Sequence, residues 1–124
     1  MSKNPVVFWE LASHDAEKSA AFFKKVFDWE IKLDENSGIY FIPAGEDSSK
    51  FDGGGIFTLR KSRLPFVSIY IQVEDIEKKV EQIKEAGGLI IEPPQSFVPG
   101  GTEICLFTEP SGVTFAMLQK PSKS

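Results

Sequence analysis

The stretch PVVFWELASHDAEKSAAFFKKVFDWEI, residues 5–31, decides the fold of this chain. It predicts one strand followed by one amphipathic helix. Shifted by 60 residues, it returns as PFVSIYIQVEDIEKKVEQIKEAGGLII, residues 65–91, with 7 identities in 27 positions. Composition alone would give about two identities. The same shift lays GGIFTLR (54–60) on TFAMLQK (114–120), so we infer an internal duplication of about half the chain.

The composition is that of an ordinary folded domain. With 124 residues, of which 41% are hydrophobic, the chain can bury one core, and we expect a single domain over 1–124. A net charge of −4 gives no electrostatic reason to bind nucleic acid or an anionic membrane. The lone Cys105 excludes an internal disulfide and fits a reducing compartment. No signal peptide or membrane span is visible, so we expect a cytoplasmic protein.

Module one, residues 5–60, is predicted to be βαβββ. A strand over 6–12 places Phe8 and Glu10 on one face and the apolar side chains of Trp9 and Leu11 on the other. A helix over 16–27 follows, with Asp15 as the preferred N-cap and Ser13 as the alternative. The remaining strands are predicted at 29–33, at 39–43 and within 51–60, with a loop at 44–50. The glycines at 53–55 predict a close backbone approach or a bulge.

Module two, residues 65–120, repeats this order after a short linker at 61–64. Strands are predicted at 66–73, 89–92, 103–108 and 113–119, and a helix capped by Asp75 at 76–86. Pro93 and Pro94 are predicted to end the second of these strands. Trp9, Phe22, Phe23 and Phe27 are predicted to pack as core between the first helix and the sheet.

Two βαβββ modules, the segment FFKKVFDWE, a central AGG and a final EPSGVTFAMLQ together resemble the vicinal oxygen chelate superfamily. That superfamily includes glyoxalase I, extradiol dioxygenases and bleomycin-binding resistance proteins, and the chain is most similar to its glyoxalase-related group of unassigned activity. The resemblance implies an α+β fold with an eight-stranded, curved, cup-like mixed sheet and the helices outside. It also implies a homodimer, which would cover the exposed sheet edges.

Metal-using members of this superfamily hold one divalent ion inside the cup. By the resemblance, the four ligand positions here are Phe8, Ile56, Ser68 and Ala116. Phenyl, aliphatic and methyl groups cannot coordinate a cation, and a neutral serine hydroxyl is a poor ligand alone. We therefore expect that the divalent metal site is lost and that no cofactor is bound.

Glu10 is the candidate catalytic residue, because it follows Phe8 on the same face of the strand. A carboxyl group on an apolar face is suited to general acid or base chemistry. It could also lie at a wet rim, pair with a neighbouring side chain, or act as a substitute metal ligand. His14, the one histidine, is expected to have a surface role.

The candidate ligand-binding residues are Phe8, Glu10, Ser68, Tyr70 and Glu103. Ser68, Tyr70 and Gln72 share one face of their strand and could line a mostly apolar pocket with a few polar groups. Glu103 and Cys105 alternate together, and the sequence does not fix which face they occupy. Cys105 is expected to be an inert buried thiol, because no basic neighbour is evident to lower its pKa.

Three functions remain open. The first is a metal-free protein that binds a small aromatic or amphipathic molecule in the cup. The second is a lyase or isomerase similar to lactoylglutathione lyase, with Glu10 as general base and with or without a divalent metal. The third is a structural or regulatory partner whose cup is filled by its own side chains.

Overall fold

A computed structural model describes residues 3–45, 52–60, 63–96 and 98–121. Within these ranges the chain is α+β, with eight strands in mixed sheet and two helices, as expected. The elements are β1 (Val6–Ser13), α1 (Ala16–Phe27), β2 (Lys32–Asp34), β3 (Ile39–Pro43), β4 (Gly53–Thr58), β5 (Phe66–Gln72), α2 (Ile76–Glu85), β6 (Leu89–Ser96), β7 (Glu103–Thr108) and β8 (Thr114–Gln119). Most of the predicted loop at 44–50 and half of the linker at 61–64 lie outside the described residues.

The chain divides into two compact units, Val7–Ser68 and Met1–Val6 with Ile69–Ser124. In the first, the strand order is β2-β3-β4-β1, and β1 runs parallel to β4. In the second, the order is β5-β8-β7-β6, and β5 runs parallel to β8. The other neighbouring strands within each unit are antiparallel. None of the helices among the described residues has the length and apolar character that a membrane crossing requires.

Both predicted helix caps are confirmed. The Asp15 carboxylate accepts a hydrogen bond from the Lys18 amide at 3.1 Å, and the Asp75 carboxylate accepts one from the Lys78 amide at 3.1 Å. Each cap satisfies one of the amides that a helix N-terminus leaves without an intrahelical acceptor. Ser13, the alternative cap, ends β1 and accepts from the Asp15 amide.

A second bond, from the last strand of each module, also holds each helix start. The Ala16 amide donates to the Thr58 hydroxyl oxygen at 3.1 Å, and the Ile76 amide donates to Gln119 Oε1 at 2.7 Å. Ala16 and Ile76 are 60 positions apart, whereas Thr58 and Gln119 are 61 apart. The offset between the modules therefore changes by one residue before the last strand.

Each helix covers one small core. Under α1 the buried residues are Ala16, Ala20, Ile31 and Ile56, and under α2 they are Val73, Ile76, Val80, Cys105 and Met117. The predicted aromatic core is partly wrong. Phe23 packs against the α1 core, but Phe22 is 55% exposed and Phe27 is 54% exposed. In α1 only Ala16 and Ala20 are buried, so the helix carries more apolar residues than its packing on the sheet buries.

Two strand predictions are corrected. β2 starts at Lys32, three residues later than predicted, because Asp28 takes a left-handed conformation with φ 57° and Trp29 turns back onto Phe23. β6 continues through Pro93 and Pro94 to Ser96, with shifts of register on either side of Glu92. Proline is tolerated there because β6 is an edge strand, where an amide facing outward needs no ladder partner.

Candidate functional site

The predicted site residues of β1 lie on the sheet face away from α1. Glu10 is paired across the sheet with Gly55, whereas the next pair, Leu11 and Ile56, belongs to the core under α1. Phe8 lies on the Glu10 face and is buried at 3% exposure, while Glu10 is half-buried. Alternation along the strand therefore separates an aromatic and a carboxylate from the helix side, as predicted.

Phe8 packs against Phe41 and the backbone of Gly55 in its own module. Its ring centroid lies 6.2 Å from that of Phe41, at an interplanar angle of 49°. A Cβ at Gly55 would approach Phe8 Cζ to 2.9 Å, which is closer than real side chains come. On the opposite face, a Cβ at Gly54 would overlap the Trp9 indole. The predicted close approach at the glycine run is thus confirmed, with one aromatic ring on each face of β4.

Ser68 and Tyr70 lie on the face of β5 away from α2. Tyr70 is paired with Ala116 of β8, while the following pair, Ile71 and Met117, faces the helix. Ser68 is 6% exposed, and its hydroxyl oxygen has no hydrogen-bond partner among the described residues. Such an atom forgoes its bonds to water without a replacement, which costs about 1–3 kcal/mol.

Glu103 and Cys105 occupy the other face of their module. Cys105 is fully buried beneath α2, and Glu103 is paired with Gln119, whose side chain caps that same helix. The register therefore does not bring Glu103 to the face that carries Tyr70. Burial, with a smaller contribution from the charge of Glu77, raises the pKa of the Cys105 thiol to about 11. That pKa leaves the thiol neutral and unreactive at neutral pH.

One of the four positions compared with metal ligands is corrected. Ile56 is fully buried under α1 and points away from the Phe8 face. Glu10 pairs with Gly55 as Tyr70 pairs with Ala116, so Gly55 is the residue equivalent to Ala116. The offset of 60 between the modules does not hold in the last strand, where it is 61.

The corrected positions do not suit a divalent cation. Phe8 fills the space over Gly55 with its ring, and neither residue offers a donor side chain. Ser68 and Ala116 add one neutral hydroxyl and one methyl group. Among the described residues, no three His, Cys, Asp or Glu side chains are grouped so that they could hold a metal ion.

His14 contacts the linker between the modules. Its Nε2 is 2.6 Å from the carbonyl oxygen of Arg63, at the end of the linker between the modules. The ring therefore fastens the linker to the start of α1, in keeping with the expected surface role.

A groove that the sequence did not reveal lies at the C-terminal end of α1. Its volume is about 580 Å³. The residues that line it are Asp28, Trp29, Glu30, Lys32, Ile42, Pro43 and Gly45. The sequence predicts a strand over 29–33, which includes Trp29 and Glu30, but β2 starts only at Lys32. The sequence feature that indicates the groove is the pair of acidic residues, Asp28 and Glu30, on either side of Trp29.

Comparison with known proteins agrees with the fold. A family model described as Glyoxalase/Bleomycin resistance protein/Dioxygenase superfamily matches residues 6–117. A variant of the Streptomyces coelicolor methylmalonyl-CoA epimerase, solved with 2-nitronate-propionyl-CoA, superposes with a TM-score of 0.68 at 13% identity, covering 98% of this chain and 100% of that one. A hypothetical protein from Bacillus halodurans superposes with a TM-score of 0.67 at 18% identity, covering 99% of each chain. No curated protein matches the sequence significantly.

Proposed function

We propose that this chain, which belongs to the glyoxalase/bleomycin resistance protein/dioxygenase superfamily, binds a small aromatic or amphipathic molecule without a divalent metal. The ligand would lie against the face of β1 that points away from α1 and would reach Ser68, which belongs to the same compact unit. Its contacts would include Phe8, Glu10 and Ser68, with Tyr70 next to Ser68 on the same face of β5. A cytoplasmic location and a homodimer belong to the same proposal.

The unpartnered hydroxyl of Ser68 carries this proposal. Among the described residues, Ser68 Oγ is the buried side-chain polar atom that lacks a hydrogen-bond partner. Buried polar groups in native proteins are nearly always paired with protein, water or ligand. A polar group of a bound molecule would supply the missing bond, and the surrounding apolar face would hold the rest of that molecule.

The apolar neighbours define the kind of ligand. Phe8 and Tyr70 are buried, and Phe41 extends the aromatic surface beside Phe8. Aromatic rings prefer tilted or offset contacts with other rings, which favours a flat partner. The half-buried Glu10 and the Ser68 hydroxyl add polar positions, so the ligand should combine an apolar ring with hydrogen-bonding groups.

The superfamily's divalent metal is not part of this proposal. The phenyl ring of Phe8 stands over Gly55, where a coordinating side chain would need to be. Restoring a cation site would require donors at several positions that now carry phenyl, hydrogen or methyl groups. The proposed binding therefore depends on the side chains of this chain alone.

Two buried serines provide the test, because among the described residues Ser13 has hydrogen-bond partners for its hydroxyl and Ser68 has none. The Ser13 hydroxyl accepts from the Asp15 amide at 3.0 Å and lies 2.7 Å from the Ser19 hydroxyl. We expect Ser13→Ala to lower the free energy of unfolding by about 1 kcal/mol and Ser68→Ala to leave it unchanged or raise it. Urea unfolding of the two variants measures both values. An equal loss in both would show that the Ser68 hydroxyl already has a structural partner.

The binding test uses a defined probe. A panel of phenols and aromatic carboxylic acids is titrated into ¹⁵N-labelled protein, and amide shifts are followed by NMR. We expect shifts at Phe8, Ser68 and Tyr70, and a dissociation constant raised about 2- to 12-fold by Ser68→Ala. Saturable shifts confined to the groove at Asp28 and Glu30 would contradict this location.

A lyase or isomerase with Glu10 as general base is the second candidate. It is favoured by the half-buried carboxyl group of Glu10, which lies on the same face of β1 as the buried ring of Phe8. The test is turnover of the methylglyoxal–glutathione hemithioacetal by the wild type and by Glu10→Gln. Activity abolished by this substitution, with unchanged unfolding free energy, would favour the enzyme over the binding protein.

A further inference from the structure

The end of α1 carries an exposed aromatic surface. It consists of Phe22, Val26, Phe27 and Trp29, of which the first three are more than half exposed. The rings contact one another, with centroids 6.5 Å apart for Phe22 and Phe27 and 5.8 Å apart for Phe27 and Trp29. Trp29 also stacks on Phe23 at 5.0 Å with an interplanar angle of 8°, which fixes its orientation. Contiguous apolar surface of this kind marks an interaction site.

The second module shows that the fold does not require this surface. At the positions of Phe22, Val26 and Phe27, 60 residues later, it has Gln82, Ala86 and Gly87. Yet α2 packs on its sheet with the same cap and the same bond from the last strand. The aromatic residues of α1 therefore add a property that helix packing does not explain.

The groove next to this surface is acidic. Trp29 belongs to both, and Asp28 and Glu30 lie on either side of it in the groove lining. Lys32 also lines the groove, but its ammonium group pairs with Glu30 at 3.1 Å. The groove thus keeps one net negative charge beside an aromatic surface. Charge complementarity then favours an occupant that presents an apolar side chain next to a cation.

The linker of this same chain has that composition. Leu64 is 85% exposed, more than any other large apolar side chain among the described residues. Arg63 precedes it, and Arg60 lies close by, both with exposed side chains. The Arg63 amide bonds to the Arg60 carbonyl at 3.0 Å, and the Arg63 carbonyl contacts His14. The backbone of Arg63 is therefore held by these two bonds, while the side chain of Leu64 is exposed.

We propose that the groove and aromatic surface at the end of α1 bind Leu64 and its neighbouring arginines from a second copy of this chain. Leu64 would cover Phe27 and Trp29, while Arg63 would approach the carboxylates of Asp28 and Glu30. Two such contacts, exchanged between two copies, close a twofold dimer. This inference rests on the homodimer proposed above and is independent of the proposed ligand.

Sedimentation equilibrium over a concentration series tests the interface. Phe27→Lys alters the aromatic surface and Leu64→Asp alters the linker. Each is expected to raise the dimer dissociation constant at least 30-fold, as substitution of a central interface residue commonly does. Val98→Asp is the matched control, because Val98 is similarly exposed, at 61%, and lies in the other unit; it should leave the constant unchanged. Circular dichroism checks folding, and Phe22→Ser and Arg63→Glu replace either variant that does not fold.

Mixing the two variants distinguishes this interface from other twofold contacts. The Leu64→Asp chain keeps an intact groove, and the Phe27→Lys chain keeps an intact linker, so one complete contact remains in the mixed dimer. We expect the mixture to associate more tightly than either variant alone. No gain on mixing, with a dimeric wild type, would overturn the proposal in favour of surfaces that pair with themselves.

Two further outcomes separate this inference from the proposed homodimer and from the proposed ligand site. A wild type that stays monomeric at all concentrations overturns both the homodimer and the interface. A wild-type dimer insensitive to both substitutions overturns the interface alone. Neither outcome bears on the NMR titration of the β5 face, which measures the proposed ligand site.

Discussion

The two modules have the same order of strands and helix but bury different side chains beneath their helices. Module two fills the space under its helix with Val73, Ile76, Val80 and Met117. In module one, α1 places only two alanines there, and its aromatic side chains lie at the margin of that core or on the surface. The caps and the strand-to-helix bonds are the same in both. The shared features are what the fold requires, so a function is best sought where the modules differ.

The faces away from the helices differ in the same way. At equivalent register positions, module one has Glu10 opposite Gly55 and module two has Tyr70 opposite Ala116. One strand therefore offers a carboxylate and the other a phenol, each beside a small residue.

The largest expected effect tests the corrected equivalence of Ile56 and Met117. Both side chains are buried beneath the helix of their module. We expect Ile56→Ala and Met117→Ala each to lower the free energy of unfolding by about 2–5 kcal/mol, because each leaves a cavity in a small core. Denaturant unfolding followed by fluorescence and circular dichroism measures the losses.

Val67→Ala is the control for this pair, because Val67 is exposed and should lose less than about 0.5 kcal/mol. If Ile56→Ala costs no more than this control, the residue does not belong to the α1 core. Ile56 would then be equivalent to Ala116, 60 positions later, and not to Met117.

Because of Cys105, the free energy of unfolding should decrease as the pH rises into the alkaline range. Its pKa is about 11 in the folded protein, against an ordinary value of 9.0. As the pH rises above 9, the unfolded chain releases the thiol proton first, so the folded state loses stability until the pH reaches about 11. At pH 10.5 the loss should be about 2 kcal/mol relative to pH 8.

The measurement compares wild type with Cys105→Ala at both pH values. Substitution changes packing equally at each pH, so only the change with pH reports the thiol. Identical pH dependence in the two proteins would show that the thiol is not shielded in the folded state. Module one has no equivalent of this thiol. Tyr40 is paired with Ile56 there, as Cys105 is paired with Met117 in module two.

Gly54 tests the aromatic packing that distinguishes module one. The equivalent residue of module two, 61 positions later, is Phe115. A Cβ at Gly54 would overlap the Trp9 indole, so we expect Gly54→Ala to cost about 1–3 kcal/mol through overpacking. Gly45→Ala is the control, because nothing lies within 4 Å of the added carbon. Thermal unfolding compares the two variants, and equal stability would mean that Trp9 can move aside without cost.

The sequence alone predicted the repeat, the order of elements, both caps and the faces of β1 and β5. These features depend on local patterns: alternation in strands, an acidic residue before a helix, and glycine or proline at turns. The faces of the sheet on which Ile56 and Glu103 lie could not be predicted in this way. Their faces are set by the register of a distant strand, and an insertion of one residue reverses the face of everything after it.

The exposure of Phe22 and Phe27 was also beyond the sequence, for a different reason. An amphipathic pattern shows which side of a helix is apolar, but not how much of that side the sheet can cover. The sheet buries the small residues Ala16 and Ala20 of α1 and leaves the rings of Phe22 and Phe27 more than half exposed. The groove beside Trp29 follows from that arrangement and from the left-handed turn at Asp28.

The smallest expected effect concerns the bond from the last strand to each helix start. Thr58→Val keeps the size of the side chain but removes the acceptor for the Ala16 amide, and should cost about 0.5–1.5 kcal/mol. Thr114→Val, at an exposed position of β8, is the control. Hydrogen exchange should accelerate at the Ala16 amide and not at the Ile76 amide, because Gln119 holds the second helix independently. Acceleration at both amides would mean that the helix starts are coupled, and that the two modules do not maintain their shared features separately.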